Sequence, residues 1–137
     1  MTIQQALDKA DEMRPNTMSR KLKLSFLNKC EQMVWEEIIM KHAHTEAEGQ
    51  RPAIDENTDP ETALLIASPY DDLYWLYLNS EIDYQNQEMD KYNNDRALFE
   101  NAYQQAADWI NRTRRPIRRV REINPRQQNR FVGKGMF

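Results

Sequence analysis

Two stretches of this chain repeat apolar residues at intervals of three and four, and that repeat commits most of the sequence to amphipathic helix. In the first, Leu22, Phe26, Leu27, Cys30, Met33, Val34 and Ile38 form a stripe that Trp35 and Ile39 widen. Lys21, Lys29, Glu36 and Lys41 lie opposite. In the second, Tyr92, Phe99, Ala102, Tyr103, Ala106, Trp109 and Ile110 face away from Asp95, Glu100, Asn101, Gln104, Gln105 and Asp108. Only three of 137 residues are glycine, too few for a fold built on tight hairpins. The expected fold is all-α: a small bundle of about four helices with a long loop and an extended C-terminal arm.

Local signals set the helix ends. Thr2 and Gln5 have capping-box spacing, and Arg14-Pro15 stops the first helix. A second helix is predicted from Asn16 or Thr17 to about Ala43. Ser68-Pro69-Tyr70-Asp71-Asp72 reads as cap, first helical residue and dipole-complementing acids, so a third helix is predicted over Pro69–Gln87. A fourth covers Met89–Thr113, with Arg112, Arg114 and Arg115 at its negative end and Pro116 beyond. Phe99, Tyr103, Ala106 and Ile110 are expected to face Phe26, Cys30, Val34 and Ile38 across a helix pair. Residues 44–67, with Gly49, Pro52 and Pro60, read as irregular. A loop of that length is unusual inside one domain and points to disorder or to contact with another chain. The chain divides into a bundle domain, 1–115, and a basic arm, 116–137.

The third predicted helix begins YDDLYWLYL, apolar nearly all round after its two acids. A helix greasy on every side needs cover on every side, and a chain this small is expected to supply only part of it. Tyr70, Tyr74, Trp75, Tyr77 and Leu78 are therefore the expected subunit interface. Core or interface packing is preferred over nucleic-acid stacking for these aromatics, because the segment is acidic and repels phosphate.

Charge is split along the chain. Residues 1–110 hold ten Lys/Arg against 21 Asp/Glu, a net of −11, whereas 111–137 hold nine against one, a net of +8. Within the arm, Ile117, Val120, Ile123, Phe131 and Phe137 interleave with Arg118, Arg119, Arg121, Arg126 and Arg130. Apolar anchors between guanidinium groups suit a protein groove with an acidic rim better than a bare phosphate backbone.

Little here suggests chemistry. No HExxH, paired CxxC or Walker A pattern occurs. His42 and His44 flank a predicted helix end, where solvated histidines are commoner than metal ligands. Cys30, the sole cysteine, lies in an apolar stripe and reads as a small core hydrophobe. No apolar run approaches the roughly 20 residues of a membrane span, and the first residues lack the charged-then-apolar pattern of a secretory leader. No enzyme activity, metal or cofactor is expected; a small enzyme using the acids and histidines near residues 36–46 is the minor rival.

Residues 64–116 carry a resemblance. Pro69-Tyr70-Asp71-Asp72-Leu73-Tyr74, then Glu81-Ile82-Asp83-Tyr84, then Tyr92-Asn93-Asn94 with Leu98-Phe99, resemble the head–tail connector, or adaptor, family of tailed bacteriophages. The resemblance implies a helical bundle with an extended C-terminal arm, assembled typically as a twelve-subunit ring beneath the portal. It implies a structural virion protein made in the host cytoplasm, located at the neck and contacting the portal protein and a downstream tail or neck protein. The arm residues from Ile117 to Phe137 would then bind the portal, and the acidic body would line a channel through which double-stranded DNA passes without sequence-specific binding. The alternative is a phage packaging or regulatory protein that uses its arginines on nucleic acid.

Overall fold

A computed structural model describes residues 1–117, and these are mostly helical with no strand among them. The helices are α1 (Ile3–Met13), α2 (Arg20–Glu37), the single turn α3 (Glu46–Gly49), α4 (Leu73–Gln85) and α5 (Met89–Thr113), with a 3₁₀ turn at Ile39–Lys41 after α2. Four long helices and one short turn make the expected all-α bundle.

α1 starts as its sequence dictates. Thr2 Oγ1 accepts from Gln5 N at 3.2 Å and Gln5 Oε1 accepts from Thr2 N at 2.9 Å. α2 begins later than expected. Ser19, not Asn16 or Thr17, caps it by accepting from Leu22 N, while Asn16 is engaged with Asp11, Arg14 and Met18. The inward face of α2 is Leu24, Leu27, Cys30 and Val34; Leu22 is exposed, and Phe26 and Met33 are only half-buried. α4 also begins late, at Leu73 rather than Pro69. Residues 67–72 form turns instead, including a cis Ser68–Pro69 bond. The two acids expected to serve the helix dipole have other partners: Asp71 accepts from the Met1 amine at 2.8 Å and Asp72 from Trp75 Nε1 at 2.9 Å. α5 spans the predicted Met89–Thr113.

α4 is the hub. It packs against α1, α2 and α5, and Leu73, Tyr74, Leu78, Ser80, Ile82 and Asp83 are all fully buried. The expected α2–α5 helix pair is corrected accordingly: α5 lies along α4, with Phe99 edge-on to Tyr77 (centroids 5.1 Å apart) and beside Tyr103. α2 meets α5 less closely, as where Tyr103 Oη donates to Met33 O at 3.3 Å and to Glu37 Oε1.

The 44–67 segment covers the bundle and is part of it. Ile54, Leu64 and Ile66 enter the core. Ile3 N donates to Thr62 O at 3.1 Å, Gln4 N to Pro60 O at 3.0 Å and Leu64 N to Met1 O at 3.0 Å. Arg51 ties the loop to α2 by donating to Gln32 Oε1 at 2.8 Å and to Asn28 O at 3.0 Å. Ile54 N adds a bond to Asn28 Oδ1 at 3.0 Å. The segment's apolar residues answer to this chain's own helices, which corrects the expectation of disorder.

Candidate functional site

Three arrangements stand out, and the first two are built on acids inside apolar stripes. The first is Glu31. It follows Cys30 on α2 and is 4% exposed. Tyr74 Oη donates to its Oε1 at 2.7 Å, Leu65 N donates to its Oε2 at 2.9 Å, and Ile66 N donates to Tyr74 Oη at 3.0 Å. Burial raises the Glu31 carboxyl above its ordinary range, although those donors and the charges of Arg51 and the Met1 amine pull it back; burial and the neighbouring carboxylate push the Tyr74 hydroxyl well up. Among the described residues Glu31 has no ion-pair partner within 4 Å.

Glu31 lies on the wall of a cavity of about 360 Å³ between α2 and the loop. The other walls are largely apolar: Ile3, Pro52, Ile54, Leu64 and Leu65. Its rim includes Ala47 and Glu48 of α3. α3 is held in place from three sides. Thr45 and Glu48 form a capping box, Trp35 Nε1 donates to Glu48 O at 2.9 Å, and Arg114 donates to both Glu48 carboxylate oxygens at 3.1 Å. Partial burial pushes the Glu48 carboxyl up, but the bonds from Arg114 and Thr45 prevail and hold it below its usual value.

The second arrangement joins three helices. Arg14, just past α1, donates through Nε to Asp83 Oδ1 on α4 at 3.1 Å and through Nη2 to Asp95 Oδ2 on α5 at 3.0 Å. Asp95, expected on the solvent face of its helix, is buried. It stands four residues before Phe99 on the same stripe, and that spacing is the signal that places it inside. Burial, the hydrogen bond shared with Asp95 and the Asp95 charge raise the Asp83 carboxyl to about 7, against the pull of Arg14.

The third is a groove of about 270 Å³ between the start of α4 and the middle of α5. Pro69, Tyr70, Trp75, Leu76 and Leu98 line it, with Asn101 and Gln105 along one side. Tyr70 stacks on Trp109 with centroids 5.1 Å apart, and Lys9 Nζ sits 5.4 Å above the Trp75 ring. This groove holds what remains of the expected interface. Tyr70 and Trp75 are half-buried and accessible; Tyr74, Tyr77 and Leu78 are buried in their own chain. The error has a physical cause. The greasiness of α4 is real, but α1, α2, α5 and the loop together cover nearly all of it.

The histidines are structural. His42 is buried, its Nδ1 donating to Ile38 O at 2.8 Å and its Nε2 lying 2.6 Å from Asn111 Oδ1. His44 is only half-buried, with Nδ1 2.7 Å from His42 O. Cys30 is buried in the core, and desolvation pushes its thiol well above the ordinary range. Among the described residues no cluster of three His, Cys, Asp or Glu is placed to hold a metal ion, and no helix is long and apolar enough to cross a membrane.

At the end of α5 the chain turns back on the body. Ala43 N donates to Arg115 O at 2.7 Å and Ile117 N to Lys41 O at 2.9 Å, on either side of Pro116. Ile117 itself is 49% exposed. The other expected arm residues, Arg118, Arg119, Val120, Arg121, Ile123, Arg126, Arg130, Phe131 and Phe137, lie outside the described residues. No family model, curated protein or solved structure matches this chain.

Proposed function

We propose that this chain is a structural subunit of a phage neck, a head-completion adaptor that forms a ring between the portal and the tail components. The observation that supports this reading best is the charge split. A body of net −11 over residues 1–110 is followed, from the last turn of its last helix onward, by a segment of net +8 over residues 111–137, in which eight arginines are interspersed with apolar residues. An acidic ring wall lets duplex DNA slide, because like charge lowers phosphate affinity. Arginine forks paired with carboxylates, and apolar anchors between them, serve attachment to another protein. The Tyr70–Trp75–Leu98 groove supplies an exposed apolar surface on which neighbouring subunits pack. The sequence resemblance over residues 64–116 points the same way.

The test is attachment. Purified chain mixed with portal-bearing, neckless heads should co-sediment with them and add a ring visible by electron microscopy. Removing residues 118–137 should abolish attachment while helical content by circular dichroism persists. A chain that ignores heads but co-sediments with naked duplex DNA would overturn this reading in favour of a nucleic-acid-binding packaging or regulatory protein.

A further inference from the structure

Two acceptors inside the bundle have no donor. Asn79 Oδ1 and Asp83 Oδ2 are both buried, and neither has a hydrogen-bond partner among the described residues. Asn79 is 1% exposed and Asp83 is fully buried. They stand four residues apart on α4, so their side chains are neighbours on one face of that helix. A buried acceptor left unserved is costly, and two side by side repel each other as well.

The charged groups around them leave one kind of donor. Asp83 Oδ1 already accepts from Arg14 Nε, and both Asp95 oxygens accept from Arg14 Nη2, at 3.3 and 3.0 Å. Arg14 Nη1 is turned to Met13 O. On α2 the buried charged residues are engaged elsewhere, Lys23 with Asp11 and Glu31 with Tyr74 and Leu65. Glu81 of α4 is paired with Arg96 of α5, and the Met1 amine with Asp71. Two carboxylates thus share one guanidinium, which leaves an excess negative charge in the core. A proton removes that excess. Placed on Asp83 Oδ2, it also turns one orphaned acceptor into a donor for the other. We infer that Asn79, Asp83 and Asp95 make one buried proton seat, in which the proton sits on Asp83 Oδ2 beside Asp95 and Asn79 Oδ1 accepts it. The rise of the Asp83 carboxyl to about 7 agrees with a proton held there up to neutral pH. When the proton leaves, Asn79 Oδ1 faces a charge of its own sign, and the amide must turn over to present Nδ2. The joint that Arg14 makes between α1, α4 and α5 therefore has two hydrogen-bonded settings, one on each side of neutrality. This inference rests on the core alone and is independent of the phage reading.

Carbon-detected NMR of the full chain, across a pH series from acid to mildly alkaline, tests this. Asp83 Cγ should titrate near neutrality. Asn79 Cγ should shift with the same midpoint, while Cγ of the exposed Asn101 stays flat. Asn79→Leu, a change of similar size, should lower the Asp83 midpoint by roughly half a pH unit to one, the worth of one hydrogen bond to the neutral acid. The sign is decisive. An apolar neighbour by itself deepens desolvation and raises a carboxyl, so a fall reports the lost acceptor. An unchanged midpoint would overturn the inference by leaving Asp95 as the proton's acceptor. A raised midpoint would overturn it by making Asn79 a donor to the ionised form. Asp83→Asn gives a second reading that does not depend on how Asn79→Leu folds. Its amide carries a fixed donor, so Asn79 Cγ should lose its pH dependence; a signal that still titrates would count equally against the seat.

Discussion

At the scale of single residues, the most consequential group is Asp83. Its carboxyl is fully buried beside Asp95, and one guanidinium serves both. A carboxyl raised from its ordinary range to about 7 holds a proton in the folded chain that the unfolded chain has already released. Stability linked to this group is therefore fully present below about pH 4 and is lost as pH rises through 7. Urea midpoints measured between pH 4 and 8 should carry this downward slope. Asp83→Asn, which imitates the neutral acid and keeps an acceptor for Arg14, should flatten it and leave the variant the more stable form above pH 7. A variant whose profile parallels that of the parent would show that Asp83 titrates normally. Glu31, Asp83 and Asp95 were hard to read from sequence, because an acid inside a stripe looks like an acid at its edge. Only the partner shows which it is: Tyr74 for Glu31, and Arg14, from a distant part of the chain, for the aspartates.

At the scale of elements, the turn between α4 and α5 is a Schellman cap. Glu88 N donates to Asp83 O and Gln87 N to Tyr84 O, with Gln87 at φ 60°, in the left-handed region. A side chain there costs about 1–2 kcal/mol that glycine does not. Gln87 is exposed and its side chain makes no hydrogen bond among the described residues, so Gln87→Gly should raise stability by about 1 kcal/mol. An unchanged denaturation midpoint would count against the assigned backbone. Phe99 is the corresponding test of helix phasing. It is buried against Tyr77 and Tyr103, so Phe99→Ala should cost about 3–5 kcal/mol in the same measurement. Elements with strong local signals were legible. The α1 capping box and both ends of α5 follow from sequence alone. The start of α4 did not, since Asp71 and Asp72 suit a helix start equally well whether or not Met1 and Trp75 are there to engage them.

At the scale of the whole molecule, the helical class was legible and the arrangement was not. Periodicity says that α4 needs cover; it does not say that a polar-looking loop will supply Ile54, Leu64 and Ile66 as a lid. With most of α4 covered internally, assembly should depend on the Tyr70–Trp75–Leu98 groove. If the proposed ring forms through this groove, Trp75→Asp, which also gives up the Asp72 hydrogen bond and the Lys9 contact, should keep helical content by circular dichroism while shifting sedimentation from oligomer to monomer, and an oligomer that survives it places the subunit contact elsewhere. The way the chain leaves the body has a mechanical corollary. The antiparallel pairing of residues 115–117 with 41–43 lies between any pull on the arm and the end of α5. Tension applied beyond Ile117 is borne first by the two backbone bonds astride Pro116, then by the Arg114–Glu48 fork and the His42–Asn111 contact. The load is thus shared with the 3₁₀ turn that follows α2 and with α3 before α5 can unwind, and the chain behaves as a hook sewn to the bundle at several stitches.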